Sequence, residues 1–61
     1  MLTKDLQVGD KIIFILNNTM EDGEIIEREQ LDKGDISFTL KLEGSRKMRI
    51  KHRELNIYYK F

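Results

Sequence analysis

The chain has no cysteine, no proline, no alanine and no tryptophan among its 61 residues. The lack of cysteine excludes a disulfide framework, a thiolate metal site and a cysteine nucleophile, and it fits a reducing compartment. The longest apolar run, Ile12 to Leu16, has five residues, whereas a membrane-spanning helix needs about 20. We therefore expect no contact with a membrane, and the short length predicts a single domain over residues 1–61.

The N-terminal segment carries no recognisable export signal. Met1-Leu2-Thr3-Lys4-Asp5 lacks both the basic region and the apolar region of a signal peptide. Together with the absence of cysteine, this segment predicts a cytoplasmic protein.

Charge is balanced over the whole chain but not along it. Eleven Lys and Arg accompany eleven Asp and Glu, so the formal net charge is zero, and the simplest indication of a nucleic-acid binder, a strongly basic domain, is missing. Residues 1–35 hold nine acidic and four basic residues, and residues 36–61 hold two acidic and seven basic residues. The fold decides whether these halves separate in space or mix as cross-strand ion pairs.

Eight isoleucines and several alternating stretches favour β-strands. The alternation is clearest where polar residues separate Ile36, Phe38, Leu40 and Leu42, which predicts a strand with one buried face. Residues 24–33 contain many good helix formers, so a helix is the alternative there, but their apolar residues do not repeat at a helical period. The predicted strands are residues 11–16, 24–29, 36–43, 46–51 and 56–61.

The segments between these strands contain turn-forming residues. Gly44 and Ser45 predict a tight hairpin, and residues 52–55 predict a single turn of 3₁₀ type. The first strand is apolar on both faces, which predicts that it is covered on each side. Five short strands at this spacing predict an all-β fold, a small antiparallel barrel. The predicted connections are residues 17–19, a turn at 20–23, a loop at 31–35, the hairpin at 44–45 and the turn at 52–55.

The positions of the glycines and of one leucine resemble those of a known fold family. Val8-Gly9-Asp10 precedes the first strand, Gly23 opens the second, and Leu55 ends the turn before the last. In these features the chain resembles the small SH3-like barrels of the KOW and Tudor type. The resemblance implies a five-stranded SH3-like antiparallel barrel, an architecture that hosts RNA, DNA, peptide and methylated-ligand binders. The first loop lacks the second glycine of a KOW signature, so RNA binding of the ribosomal type is not implied.

The strongest local feature is a basic segment, residues 46–53, with five Lys or Arg in eight residues. On a strand, Lys47, Arg49 and Lys51 would project from one face at intervals of about 6.6 to 7 Å, a spacing suited to the phosphates of a nucleic acid. The alternative is a solvated hairpin face whose cations pair with the three glutamates of residues 24–29. The predicted nucleic-acid or anion-binding residues are Arg46, Lys47, Arg49, Lys51, Arg53, Tyr58 and Tyr59.

The two tyrosines are adjacent on the last predicted strand. One of the side chains of Tyr58 and Tyr59 should therefore face the core and the other should face solvent or a loop. An exposed tyrosine beside the basic strand could stack on a base or anchor a protein partner. The alternative is a ring that packs over the rim of the barrel.

Neither catalysis nor a cofactor is predicted. His52 is the only histidine and no cysteine is present, so a usual zinc site cannot be completed. The acidic residues between positions 21 and 35 match no calcium loop. No nucleophile, base and oxyanion-stabilising loop occur together, and so small a barrel offers no sizeable cleft. We therefore expect no enzyme, no metal site and no cofactor.

Two functional hypotheses remain for a non-enzymatic binding module. The first is weak binding of RNA, DNA or an anionic surface through the basic hairpin. The second is a protein-interaction or adaptor module, which includes a homodimer formed through a sheet edge. Acidic residues beside the basic strand would favour ion pairing or a protein interface, whereas acidic residues on the opposite side would favour an anion-binding face.

Overall fold

The protein is an all-β chain whose five antiparallel strands form one sheet. A computed structural model describes residues 3–61; Met1 and Leu2, part of the segment on which the signal-peptide expectation rests, lie outside the described residues. In sheet order the strands run β4-β3-β2-β1-β5, so β4 and β5 are the two edges and the sheet is not closed. Their bounds are β1 Lys11–Leu16, β2 Thr19–Gln30, β3 Ile36–Leu42, β4 Lys47–Lys51 and β5 Asn56–Lys60.

The predicted all-β class is confirmed, and so is the preference for a strand over a helix at residues 24–29. Residues 3–61 contain three short 3₁₀ segments and no α-helix. The helix formers of this region lie in β2, where pairing of seven residues with β3 provides hydrogen-bond partners for the backbone. Strand pairing therefore overrides the local helix propensity.

The first hairpin differs from the sequence prediction. Asn17 and Asn18 both have positive φ, 51° and 64°, and they join Leu16 and Thr19, which are directly paired. This is the geometry of a two-residue hairpin turn, which suits the right-handed twist of the strands. The turn predicted at residues 20–23 is wrong, because the two asparagines reverse the chain first and the following residues pair with β1 as the start of β2.

The other two hairpins lie where the sequence predicts them and share one loop geometry. The predicted two-residue turn at Gly44 and Ser45 is too short, because Glu43 and Arg46 also lie outside the strands. Each hairpin contains a three-residue 3₁₀ segment, Asp32–Gly34 in one and Glu43–Ser45 in the other. The second and third residues of both segments have positive φ, and a 2.7 Å backbone hydrogen bond closes each loop. A glycine at one of the two positions lowers the cost of this conformation in each loop.

One hydrophobic core lies inside the curled sheet. Gly23 is buried in β2, and a Cβ atom there would lie only 3.0 Å from Phe14 Cε1. A β-bulge follows at Ile26, because Ile25 and Glu27 pair with consecutive residues of β3. A missing side chain and a bulge both allow a strand to bend. The buried core residues are Leu6, Ile12, Phe14, Ile25, Ile36, Phe38, Leu40, Leu42, Ile50 and Leu55.

The first strand is covered on one face only. Ile12 and Phe14 are fully buried, whereas Ile13 and Ile15, on the opposite face, are only partly buried. The predicted cover on both sides is therefore wrong. The described residues form a single curled sheet with one inner face, and no second layer lies against its outer face.

Hydrogen bonds hold two segments outside the strands in place, the N-terminal segment and the connection between β4 and β5. The Arg28 guanidinium on β2 donates hydrogen bonds to the backbone carbonyls of Lys4 and Leu6, both at 3.1 Å, which fixes the N-terminal segment over the core. After β4, a turn forms as predicted, with i to i+3 hydrogen bonds to the carbonyls of Lys51 and His52. This turn leads the chain from the β4 edge of the sheet to the opposite edge, where β5 begins.

Candidate functional site

The predicted basic residues cluster at the β4 edge of the sheet. Lys47, Arg49 and Lys51 are exposed on β4, while Met48 is partly buried and Ile50 is buried. The predicted alternation of this strand is confirmed. Arg46 directly precedes β4, and Arg53 lies in the turn that follows it.

Acidic residues lie on the same outer face, two strands away. Glu24 on β2 is paired with Lys41 of β3, and Glu29 is paired with Ser37. On the other side of β3, the same Lys41 and Ser37 are paired with Lys47 and Lys51 of β4. Directly paired residues share a face of the sheet, so acidic, central and basic rows run side by side across β2, β3 and β4.

Arg49 spans these rows. Its Nε donates a 2.9 Å hydrogen bond to the Ser37 hydroxyl, and its guanidinium forms an ion pair with Glu29. The Ser37 residue beneath it is almost fully buried. Because both charged side chains are more than half exposed, this ion pair contributes about 1 kcal/mol at most.

The two flanking arginines are also paired. Arg46 Nη2 lies 3.3 Å from Glu21 Oε1, and Arg46 Nε donates a 3.1 Å hydrogen bond to the Glu43 carbonyl. Arg53 Nη2 lies 2.8 Å from Asp35 Oδ1, and that buried oxygen has no well-directed hydrogen bond, so the charge of Arg53 is its compensation. All three arginines of the predicted site are thus engaged within the molecule.

The lysines of this surface differ from the arginines. Within residues 3–61, Lys41, Lys47 and Lys51 have no carboxylate within 4.0 Å. Lys41 and Lys47 also stand directly opposite one another on β3 and β4. Like charges in directly opposed positions destabilise a sheet, so this lysine pair is a local concentration of positive charge, although Glu24 stands opposite Lys41 on its other side.

The two tyrosines of the predicted site are at the other edge of the sheet. They lie on β5, which is separated from β4 by three strands, and therefore Tyr58 and Tyr59 are not beside the basic strand. Both are exposed, at 65% and 54%, so the expectation that one ring faces the core is wrong. Tyr59 pairs with Ile13 and Ile57 pairs with Phe14, which leaves Tyr58 as the extra residue of a bulge and breaks the alternation.

The exposed side chains near β5 form a second surface, which we call the apolar face. Tyr59 and Phe61 meet edge to face, with ring centroids 5.2 Å apart. Tyr59 is paired with Ile13, and Ile15 of the same strand is paired with Met20. The apolar face consists of Ile13, Ile15, Met20, Tyr59 and Phe61.

Sequence reasoning missed the apolar face as a unit. Its signal was present in the run from Ile12 to Leu16, which is apolar at every position and predicts cover on two faces. In the structure only one of these two faces of β1 is covered. Phe61 and Met20 are 41 positions apart in the chain, and only the β2-β1-β5 pairing brings them to one surface.

The described residues offer no site with the arrangement of a metal centre. In residues 3–61, no group of three or more His, Cys, Asp or Glu side chains is placed to hold an ion. The His52 Nδ1 atom accepts a 3.1 Å hydrogen bond from the Ile36 amide, so this imidazole serves the packing of the chain. No helix in the described part of the chain is long and apolar enough to span a membrane.

Comparison with known proteins gives no further functional information. No protein-family model matches the sequence, and neither curated proteins nor solved structures give a significant match. The charged β4 surface and the apolar face are therefore the two candidate sites.

Proposed function

We propose that this chain is a small, non-enzymatic protein-interaction module that binds its partner through the apolar face. One observation carries the proposal: two partly buried isoleucines of β1 lie beside Met20, Tyr59 and Phe61, which are 54%, 54% and 69% exposed. Scattered exposed apolar residues are ordinary on a protein surface, but a contiguous group indicates a binding site.

The chain does not need these side chains for its own core. Ten other hydrophobic residues form the buried core, and Phe14 and Phe38 are the aromatic residues within it. The remaining three aromatic residues of the chain are all exposed and fall within its last four positions. Tyrosine is enriched among the side chains that contribute most of the energy at protein interfaces, because it offers a large rigid surface with a polar end.

The mixed charges of the β4 surface support the same function. Acidic residues of β2 lie on the same face of the sheet as the basic residues of β4. This arrangement favours ion pairing or a protein interface over an anion-binding face. The ion pairs of Arg46, Arg49 and Arg53 would have to break before these arginines could bind phosphate.

We further propose that the fold is an open relative of the SH3-like barrels and that the protein is cytoplasmic. The entry at Gly9, whose φ is 99°, the position of β5 beside β1 and the turn before β5 support the first proposal. The absence of cysteine supports the second. Neither proposal determines the function, because proteins with the same fold can have many different functions.

Weak anion binding is the second candidate function. The observation that favours it is the set of lysines on this surface that form no ion pair within 4.0 Å, above all the opposed pair Lys41 and Lys47. An NMR titration of the labelled chain with short single-stranded and double-stranded oligonucleotides tests it. Salt-sensitive shifts at β3 and β4 would support this function, and no shifts at low salt would reject it.

Photo-crosslinking in cells that produce the chain tests the proposed function. The variant Tyr59→p-benzoylphenylalanine places the reactive group on the apolar face, and the matched control Lys47→p-benzoylphenylalanine places it at the exposed β4 edge. We expect a discrete, nuclease-resistant protein adduct from position 59 and little or none from position 47. No adduct from position 59 would refute the proposal, and a nuclease-sensitive adduct from position 47 would support the anion-binding candidate instead.

A further inference from the structure

We propose that the partner at the apolar face is a second copy of this chain, joined through antiparallel pairing of the two β5 edges. This inference rests on the proposed function, because it names the occupant of the same surface. A two-fold axis beside β5 would continue the sheet from one copy into the other and bring the two Tyr59 and Phe61 clusters together.

The backbone of β5 is available for such pairing. β5 pairs with β1 on one side only and is an edge of the sheet. Among the hydrogen bonds of the described residues, none joins the other side of Asn56–Lys60 to backbone or side chains. An unprotected edge of this kind is a template for another strand.

The two edges of the sheet differ in their protection. The β4 edge carries Lys47, Arg49 and Lys51 in five residues, and two such edges in antiparallel register would bring like charges together. β5 carries one charge, Lys60, which lies 3.6 Å from Asp10 Oδ2. Cations on an edge strand prevent pairing, so of the two edges only β5 is suited to a second copy.

The side chains of β5 also fit an antiparallel copy of themselves. Antiparallel pairing over the middle of β5 keeps the two Lys60 side chains apart, because Lys60 stands at the end of the strand. It also brings Tyr59, which shares the outer face with Ile13, beside the tyrosines of the second copy, and aromatic pairs across strands are favourable.

The surroundings of the apolar face carry charges of both signs. On the outer face of β1 and the first half of β2, the charged residues are Lys11, Asp22 and Glu24, one positive and two negative, and Lys11 stands directly opposite Glu24. The formal net charge of the whole chain is zero. A protein without net charge does not repel its own copies, whereas a strongly acidic or basic partner would find no large patch of opposite charge here.

Sedimentation velocity of the purified chain tests this inference. Over a concentration series of about three orders of magnitude, the mass should rise from 7.3 kDa to twice that value. Tyr59→Glu should weaken the association at least about tenfold, as expected for an interface anchor. Val8→Glu is the matched control, because Val8 is similarly exposed at 60% and lies outside β5. This variant introduces the same charge and should leave the association unchanged. Equal thermal melting of both variants would show that the fold is intact.

Single cysteines locate the interface, since the chain has none of its own. Tyr58→Cys should form a disulfide-linked dimer under mild oxidation, and Lys47→Cys on β4 should not. A monomer at every concentration, or a dimer linked through position 47 alone, would overturn the inference. If the chain is monomeric while position 59 still gives an adduct heavier than two copies, the second copy is rejected and the interaction function stands. If position 59 gives no adduct, the interaction function fails as well.

Discussion

Gly23→Ala should destabilise the protein although alanine is the better strand residue. A Cβ atom at position 23 would lie 3.0 Å from Phe14 Cε1, 3.4 Å from Leu42 Cδ2 and 3.6 Å from Leu40 Cδ2. The first of these contacts is too close for two carbon atoms, and the Phe14 ring is fully buried. Because a packed core does not yield freely, the added methyl group strains the rings and strands around it.

The expected magnitude follows from two opposing terms. Adding atoms to a well-packed core costs about 1–3 kcal/mol. Replacing glycine by alanine stabilises by about 0.4–1 kcal/mol, because the unfolded chain loses conformational freedom. The net loss is therefore about 1 kcal/mol, and it should lower Tm by roughly 4–8 °C in a domain of this size.

A double-mutant cycle with Phe14→Leu tests the cause. The leucine removes the contacting ring, so in this background Gly23→Ala should be neutral or stabilising by urea denaturation, and the cost of Phe14→Leu itself cancels in the cycle. Gly44→Ala is the control, since its Cβ would meet no atom within 4 Å but its φ is 74°; it should cost about 1–2 kcal/mol in both backgrounds. A Gly23→Ala protein as stable as the original, or one whose loss of stability persists without the ring, would show that the Phe14 contact is not the cause.

Two further predictions concern single side chains outside the core. Lys47→Glu should stabilise the fold by about 0.2–1 kcal/mol, because it replaces the opposed pair of lysines with an attractive pair; Lys51→Glu, opposite Ser37, should give less, and equal effects in urea denaturation would argue against the cross-strand origin. His52→Ala should cost about 1–3 kcal/mol, since the Ile36 amide loses its acceptor. His52→Asn, whose side-chain oxygen can occupy the place of Nδ1, should restore part of the loss in the same assay, and an Asn variant as unstable as the Ala variant would contradict this assignment.

The fold class could be read from the sequence because the strand signals are local. The alternation from Ile36 to Leu42 and from Lys47 to Lys51 reflects burial of one face, and the glycine-containing hairpin loops follow from their need for positive φ. These features require no knowledge of which strands are neighbours.

The features that could not be predicted depend on pairing over longer distances. The start of β2 contains Met20, Glu21, Asp22 and Gly23, which resemble turn residues when considered alone. They become strand residues because the two asparagines before them reverse the chain and β1 supplies hydrogen-bonding partners. The bulge that exposes both tyrosines likewise exists only in the register of β5 against β1.

The candidate sites show the same difference between local features, which the sequence predicts, and features that depend on long-range pairing. The basic strand and its outward lysines were evident from the sequence, but the acids paired with the arginines were not. The expected acids were those of residues 24–29; Glu29 does pair, whereas Glu21 and Asp35 lie outside that stretch. Ion pairs between elements depend on how the sheet curls and on the reach of each side chain, and the linear pattern of charge does not specify either.

The most direct test of the proposed function compares two positions in the same cells. Adduct formation from the photo-crosslinker at position 59, on the apolar face, is measured against adduct formation at position 47, on the charged β4 edge. We expect a discrete protein adduct at position 59 that far exceeds any at position 47. Equal labelling at both positions, or labelling at position 47 alone, would contradict the claim that the apolar face is the binding surface.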